Sequence, residues 1–427
     1  MRNIVLITLD SVRADHCSFM GYHRKTTPTL DWMARKGLYF KNAITSGVGT
    51  PTSMVGVFTG DYSYIDSEET KFEPWRCELA QRRTLAQVLL ENGYSTGAIH
   101  PNVFVSHYYG FNKGFVYFYD FLSENKNMLS RLTMKFRRFS RGKLSILRNL
   151  INLMQKEEVF KPWESYYDLI IDWVERAEKP FFLWVLLLDT HHPYIAPKKF
   201  RKGSFLDNVD LILFSRRGQK ANWKLNLSEK ERRKLIDAYD DSIFYADSFI
   251  KKLWGDLKSD DPIFIVHADH GEGFGEHGFY SHPPYLYEEF IHVPLIIYNA
   301  DIKGKIEAPV SLLGIAPTIL ELIGKQNEFI FESILRVRKS WVISKVFKGG
   351  KRRLAVRMKN WKFIVGQKDV EELYYLKQDP YEQENLINKH PELAKEMKEI
   401  AKIHIKYEMI TTKICDKISK IKKVRKI

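Results

Sequence analysis

Residues able to bind a divalent metal ion stand at or just past the ends of the apolar runs that predict buried strands. These residues are Asp10, His191, Asp269 and His270, and the runs before them are Ile4–Leu9, Phe181–Leu188 and Ile263–His267. Because ligands of open α/β sheets bind at the carboxyl ends of the strands, we expect the four side chains to lie together. Carboxylate oxygens and imidazole nitrogens are common ligands of divalent cations. A single Asp or His here is more often a helix cap, a turn residue or a buried histidine, so the prediction depends on the whole set.

A glycine-rich segment leads to Thr50, where a helix is predicted to begin. Pro51 suits the first helical turn, and residues 52–58 continue the pattern. A hydroxyl at this end of a helix lies beside unpaired N–H groups and the positive end of the helix dipole, which stabilise an oxyanion. Coordination to a metal would lower the pKa of the hydroxyl further. Thr50 is therefore a candidate nucleophile, and a simple helix-capping role explains the local sequence equally well.

Short apolar runs alternate with helical patterns along the chain. The predicted strands are Ile4–Leu9, Ser95–Ile99, Phe181–Leu188, Ile263–His267 and Val293–Tyr298. Helices are predicted over Thr84–Asn92 and Leu235–Leu253 from the spacing of their apolar residues. This alternation predicts an α/β fold in which a large, mainly parallel sheet is sandwiched between helices.

The chain is expected to divide near Gly324. Residues 1–324 would form the catalytic domain, and residues 325–427 a smaller C-terminal α+β subdomain with a basic tail. Two insertions are predicted in the first part, a basic segment near 123–163 and a polar, irregular segment at 201–231. The basic segment could bind an acidic membrane surface or a polyanion, or simply pack its apolar face on the domain.

The composition limits the class of protein and its partners. With 427 residues, 44% of them hydrophobic, the chain can bury a large core as a globular protein. A net charge of +15 favours anionic partners such as sulfated or phosphorylated esters, although a well-solvated basic surface explains it as readily. We expect an anionic ester substrate and no specific nucleic acid. The oligomeric state has no signal in the sequence.

Cysteine usage and the N-terminus bear on the compartment. The three cysteines lie far apart with no paired motif, so neither a disulfide framework nor a thiolate zinc site is predicted. The first residues run directly into a predicted strand without a signal-peptide pattern. The apolar run Phe181–Leu188 is far shorter than the roughly 20 residues of a membrane span. A cytoplasmic location is therefore expected.

Several motifs follow one another in a distinctive order. They are Leu9-Asp-Ser-Val-Arg-Ala-Asp-His16, the segment 50–60 ending in Phe-Thr-Gly, Asp189-Thr-His-His-Pro-Tyr194, Ala268-Asp-His-Gly-Glu-Gly-Phe-Gly-Glu-His-Gly278 and Asp379-Pro-Tyr-Glu-Gln-Glu-Asn385. Together they run over nearly the whole chain and resemble the sulfatase family of the alkaline-phosphatase superfamily. The resemblance implies the fold of that superfamily and a metal-dependent hydrolase of sulfate or phosphate esters.

The resemblance also assigns roles to individual residues. One divalent ion would be held by Asp10, Thr50, Asp269 and His270. A second ion, completed by His277 and His282, is left open.

The same comparison gives the catalytic groups. Thr50 would be the covalent nucleophile, and His191 and His282 would hold the oxyanion or protonate the leaving group. His282 stands where many sulfatases carry a lysine. Asn102 is a weaker candidate for a substrate contact.

The chain departs from the family pattern at the nucleophile and at one metal ligand. Thr50-Pro-Thr-Ser-Met54 replaces the usual Cys/Ser-x-Pro-x-Arg motif, and a threonine cannot become formylglycine. No formylglycine is therefore expected, and phosphodiesterase-type chemistry is favoured. Ser11 replaces a second metal-binding Asp, which favours Mn²⁺ or Zn²⁺, with Ca²⁺ or Mg²⁺ as alternatives.

Two other functions remain open from the sequence. A phosphoglycerol or phosphoethanolamine transferase would use the same nucleophile with an alcohol in place of water. A non-catalytic, polyanion-binding protein of the same fold would explain the basic charge but not the set of potential metal ligands.

Overall fold

The computed structural model describes residues 1–121, 161–203, 205–336, 339–349, 351–366 and 371–406. The predicted basic segment near 123–163 lies almost wholly outside these residues, as does the basic tail.

The strands are, in chain order, β1 (Ile4–Leu9), β2 (Leu38–Ile44), β3 (Ser95–Ile99), β4 (Tyr117–Tyr119), β5 (Phe181–Leu187), β6 (Ile263–Ala268), β7 (Gly273–Phe274), β8 (Tyr280–Ser281), β9 (His292–Val293), β10 (Leu295–Tyr298), β11 (Gly304–Ser311), β12 (Trp341–Lys348), β13 (Lys351–Met358), β14 (Trp361–Gly366) and β15 (Glu371–Tyr375). The helices are α1 (Pro28–Lys36), α2 (Thr50–Thr59), α3 (Phe72–Ala80), α4 (Leu85–Glu91), α5 (Tyr167–Arg176), α6 (Phe205–Lys220), α7 (Glu229–Asp256), α8 (Glu288–Ile291), α9 (Ile315–Leu322) and α10 (391–406). No described helix has the length and apolar character needed to cross a bilayer.

The large sheet has the strand order β11-β2-β10-β6-β1-β5-β3-β4, with β9 paired to β2. β1 is parallel to both β5 and β6, whereas β10 is antiparallel to β6 and β2. The predicted α/β fold with a mainly parallel sheet is thereby confirmed. Because the central strands β1 and β5 are buried along their whole lengths, their sequences are almost continuously apolar.

A polar group inside this core is satisfied by its neighbours. Thr8 Oγ1 accepts a hydrogen bond from Trp184 Nε1 at 3.1 Å and lies 3.0 Å from His267 Nε2. Burial lowers the pKa of His267 to about 4. A neutral histidine can therefore be kept in the middle of the sheet.

Two predicted elements differ from the structure. The irregular structure expected at 201–231 is wrong for residues 205–220, which form α6 and bury Leu211 and Phe214 on one face. The single strand expected over Val293–Tyr298 is divided into β9 and β10. Pro294 stands between them, and without an N–H group it cannot continue the ladder of hydrogen bonds.

The C-terminal part of the described chain is a four-stranded antiparallel sheet in the order β12-β13-β14-β15, followed by α10. β12 also contacts the loop that precedes α2. Lys345 N donates to Ser46 O at 2.9 Å, and Ser344 Oγ donates to Thr45 O at 2.5 Å. The small sheet therefore holds the segment that carries Thr50.

Candidate active site

The N-terminus of α2 places the Thr50 hydroxyl in the site. Gly49 is the cap residue, with φ of 93°, and Thr50 is the first helical residue with Pro51 after it. The positive φ favours glycine at position 49 because a Cβ would strain it. Thr50 Oγ1 lies 3.5 Å from Asp10 Oδ2 and 3.5 Å from His270 Nε2. Of the two roles left open by the sequence, capping belongs to Gly49, and the threonine hydroxyl faces the potential metal ligands.

Asp10, Asp269 and His270 come together where β1 and β6 end side by side. The parallel pairing of Leu9 with Ala268 puts the residues that follow these strands at one edge of the sheet. All three side chains are fully buried, and each offers a ligand atom within 4.8 Å of the other two. The predicted clustering of carboxylates and imidazole is thus present.

Asp269 shows whether this cluster suits a cation. Its Oδ1 accepts hydrogen bonds from Ser11 N at 3.0 Å and His270 N at 2.9 Å. Its Oδ2 is buried without a hydrogen-bond partner among the described residues and lies 3.5 Å from His270 Nε2. Burial raises the pKa of Asp269 to about 6 despite the opposing effect of His270. A buried carboxylate oxygen with no partner is costly, and a divalent ion would satisfy it, so the residues fit a metal.

The Asp10 carboxylate is held by two neutral donors. Ser11 Oγ donates to Oδ1 at 2.7 Å, and Asn102 Nδ2 donates to Oδ2 at 2.8 Å. Burial raises the pKa of Asp10, but the charges of His191 and His270 outweigh burial and leave the pKa below its ordinary value. The Asn102 amide is therefore a direct partner of Asp10, and contact with a substrate remains a prediction.

The histidines of the site are fixed through their Nδ1 atoms. His270 Nδ1 lies 2.9 Å from Gly271 O, and His191 Nδ1 lies 2.8 Å from His192 O. Because a carbonyl oxygen only accepts, the proton of each neutral ring is on Nδ1. The lone pair of each ring is then on Nε2, which in His270 is the atom near Thr50.

His282 reaches the same centre from the loop after β8. Its ring centroid is 4.4 Å from that of His270 and 5.5 Å from that of His191. Its Nδ1 lies 3.4 Å from Glu272 Oε1. Burial, together with His270 and His191, holds the pKa of His282 well below its ordinary value. His191, His270 and His282 therefore lie in one cluster.

Glu272 is a site residue that the sequence reasoning missed. It is fully buried, and burial raises its pKa to about 7 despite the opposing effect of His191. Its position two residues after His270, in the same motif, was the available signal. The contact with His282 depends on the path of the loop between them, which the sequence does not reveal.

His277 does not join this centre. Its Nδ1 lies 2.7 Å from Glu289 Oε1, its Nε2 lies 3.2 Å from Glu382 O, and its ring stacks on Tyr287. Within the described ranges, the group of residues able to hold a metal is Asp10, Asp269 and His270. The second ion considered from the sequence therefore gains no ligand from His277.

The site thus has a threonine hydroxyl beside two carboxylates and a histidine. It lies at the carboxyl edge of a mainly parallel sheet, where such folds bind their ligands. The sulfatase family model matches residues 2–325. The chain belongs to the sulfatase family and is a sulfatase-like ester hydrolase.

Relatives of similar sequence are named sulfatases, and solved structures share the fold. The uncharacterized sulfatase YidJ of Escherichia coli is 25% identical over 411 residues, which cover 85% of this chain and 78% of YidJ. An arylsulfatase of Clostridium perfringens is 25% identical over 446 residues and 90% of each chain. The phosphonate monoester hydrolase of Agrobacterium radiobacter has a TM-score of 0.69 at 16% identity, over 94% of this chain and 95% of its own. BT4656, bound to its substrate D-glucosamine-2-N,6-O-disulfate, has a TM-score of 0.69 at 18% identity, over 94% and 96%.

Proposed function

We propose that this chain hydrolyses phosphate or sulfate esters with Thr50 as a covalent nucleophile, and that phosphodiesters are preferred. The observation that carries the proposal is the position of Thr50 Oγ1, which is 3.5 Å from both Asp10 Oδ2 and His270 Nε2 at the start of α2. A relative named for phosphonate monoester hydrolysis shares the fold and supports phosphorus chemistry.

Asp10, Asp269 and His270, with Thr50, would hold one divalent ion. A bound ion would lower the pKa of the hydroxyl and polarise the ester oxygen. Imidazole nitrogen among the ligands favours Mn²⁺ or Zn²⁺ over Ca²⁺ or Mg²⁺.

The chain's own groups account for the remaining steps. Thr50 loses its hydroxyl proton to water, and its Oγ attacks phosphorus or sulfur as the bond to the leaving oxygen breaks. The departing alcohol takes a proton from Nε2 of His191 or His282, whichever ring is protonated at that nitrogen. Hydrolysis of the resulting threonine ester returns the free hydroxyl. A transferase would release the same ester to an acceptor alcohol.

The test is steady-state hydrolysis of an aryl sulfate, an aryl phosphomonoester and an aryl phosphodiester, each with Mn²⁺, Zn²⁺, Ca²⁺, Mg²⁺ or EDTA. Thr50→Ala should lose at least about 1,000-fold in kcat, whereas Thr50→Ser keeps a hydroxyl and should retain measurable turnover. The diester should be turned over fastest. Equal activity of wild type and Thr50→Ala would exclude threonine chemistry. Turnover that appears only with an added alcohol acceptor would favour the transferase.

A further inference from the structure

The loop that carries His282 has an aromatic residue on each side. Phe279 and Tyr285 are each three residues from His282, and three residues of extended chain span at most about 10 Å. The two rings stack with their centroids 4.4 Å apart and their planes at 26°. Both side chains are partly exposed. A pair of stacked, partly exposed aromatic rings therefore brackets His282 along the chain.

Two cations from different elements lie over these rings. Lys224, after α6, has its Nζ 5.4 Å from the Phe279 centroid, and the guanidinium carbon of Arg353, on β13, is 4.6 Å from the Tyr285 centroid. Both residues are exposed, and within the described part of the chain neither forms an ion pair. Lys348, near the same tyrosine, is paired with Glu68 at 2.9 Å. Lys224 and Arg353 thus hold positive charge that no acidic residue in the described ranges neutralises through an ion pair.

Trp223 connects these rings to the histidines. Its ring is 4.8 Å from His192, and the His192 ring is 6.2 Å from His282. Trp223 O accepts a hydrogen bond from Tyr280 N at 3.0 Å, which joins the end of α6 to the loop. A Cβ at Gly218 would come within 2.3 Å of the indole, so glycine there allows the ring to lie where it does. A row of rings therefore leads from the reaction centre outward.

Resting on the proposed function, we propose that Trp223, Lys224, Phe279, Tyr285 and Arg353 form a subsite for the alcohol part of the ester. We call these five residues the basic aromatic patch. The exposed edges of its rings would contact the substrate, and either of its two cations would pair with a further anionic group there, a sulfate, phosphate or carboxylate. The preferred substrate is accordingly an ester whose alcohol carries a second negative charge.

The experiment compares two aryl esters that share the same reactive ester group and differ in the leaving alcohol. One ester releases para-nitrophenol, and the other releases a carboxylated para-nitrophenol. Wild type should have the lower KM for the carboxylated ester. The double variant Lys224→Glu/Arg353→Glu should raise that KM about 10-fold and raise the KM of the plain ester less, so that the preference for the carboxylated ester is lost. Lys395→Glu, an exposed lysine on α10, makes the same kind of charge reversal elsewhere and should change neither KM. Trp223→Ala should raise the KM of both esters.

A binding measurement separates this inference from the proposed function. The carboxylated nitrophenol product is titrated into wild type and the double variant by calorimetry, which needs no turnover. Binding to wild type that the double variant loses supports the patch even if neither ester is hydrolysed. If Thr50-dependent turnover is present but charge reversal alters neither KM nor product binding, the patch is overturned and the proposed function stands.

Discussion

At the residue scale, the site combines groups whose positions follow from the fold with one whose position does not. Asp10, Asp269 and His270 could be placed from the sequence because neighbouring parallel strands end at one edge of a sheet. Glu272 could not be placed, since its contact with His282 is made by a loop. A neutral imidazole can donate a proton from Nε2 only in the tautomer that is protonated there. The hydrogen-bond partner of Nδ1 therefore affects whether Nε2 carries a proton.

Glu272→Gln keeps the shape of the buried side chain but removes the charge that faces His282 Nδ1. If His282 protonates the leaving group, we expect kcat for esters of poorly acidic alcohols to fall about 10- to 100-fold, and kcat for activated aryl esters to change less than about 3-fold. The measurement is the dependence of kcat on the pKa of the leaving alcohol. Glu73→Gln, at an exposed position on α3, is the control. An unchanged dependence would show that Glu272 does not act through leaving-group protonation.

At the scale of elements, the nucleophile depends on a strand nearly three hundred residues later in the chain. β12 bonds to the loop before α2, and the loop fits closely against it. A Cβ at Gly47 would lie 2.5 Å from Thr52 Cγ2 and 2.9 Å from Lys345 O. The central strands could be predicted from their apolar runs, but this contact could not, because local sequence does not specify the partner of a loop.

Gly47→Ala should therefore displace the Thr50 hydroxyl without altering it chemically. We expect kcat to fall at least about 10-fold, since a shift of about 1 Å at a reacting group can cost about 100-fold. Gly255→Ala, on α7, meets no atom within 4 Å and should leave kcat unchanged while stabilising the fold by up to about 1 kcal/mol. The measurements are kcat and Tm of both variants, each compared with wild type. Wild-type kcat in Gly47→Ala would mean that the loop tolerates displacement.

At the scale of the whole molecule, the buried site links three properties: metal binding, protonation of Asp269 and the free energy of unfolding. The pKa of Asp269 is about 6 in the folded chain, against an ordinary value of 3.8. Between these values the metal-free folded chain binds a proton that the unfolded chain has released. The contribution of Asp269 to stability therefore falls as the pH rises from about 4 to about 6, and a cation that replaces the proton restores it.

Metal should accordingly stabilise the chain more at neutral pH than in acid. At a metal concentration about 100 times its Kd, we expect a gain of about 2.7 kcal/mol in the free energy of unfolding near pH 7.5, and much less near pH 5. The measurement is the difference in Tm between Mn²⁺ or Zn²⁺ and EDTA at the two pH values. Asp269→Asn should abolish the difference. A metal effect of equal size at both pH values would contradict the linkage.

The bond between Ser344 and Thr45 joins residues 299 positions apart. During synthesis the segment that carries the nucleophile leaves the ribosome long before β12 does, and at about 5–20 residues per second the delay is roughly 15–60 s. During that interval the nascent chain contains Asp10 and Thr50 from the start and gains Asp269 and His270 later. The strand β12, which bonds to the nucleophile loop, has not yet been made. The nucleophile loop would thus gain its support only after β12 has been synthesised, and a product terminated before residue 341 would lack that support.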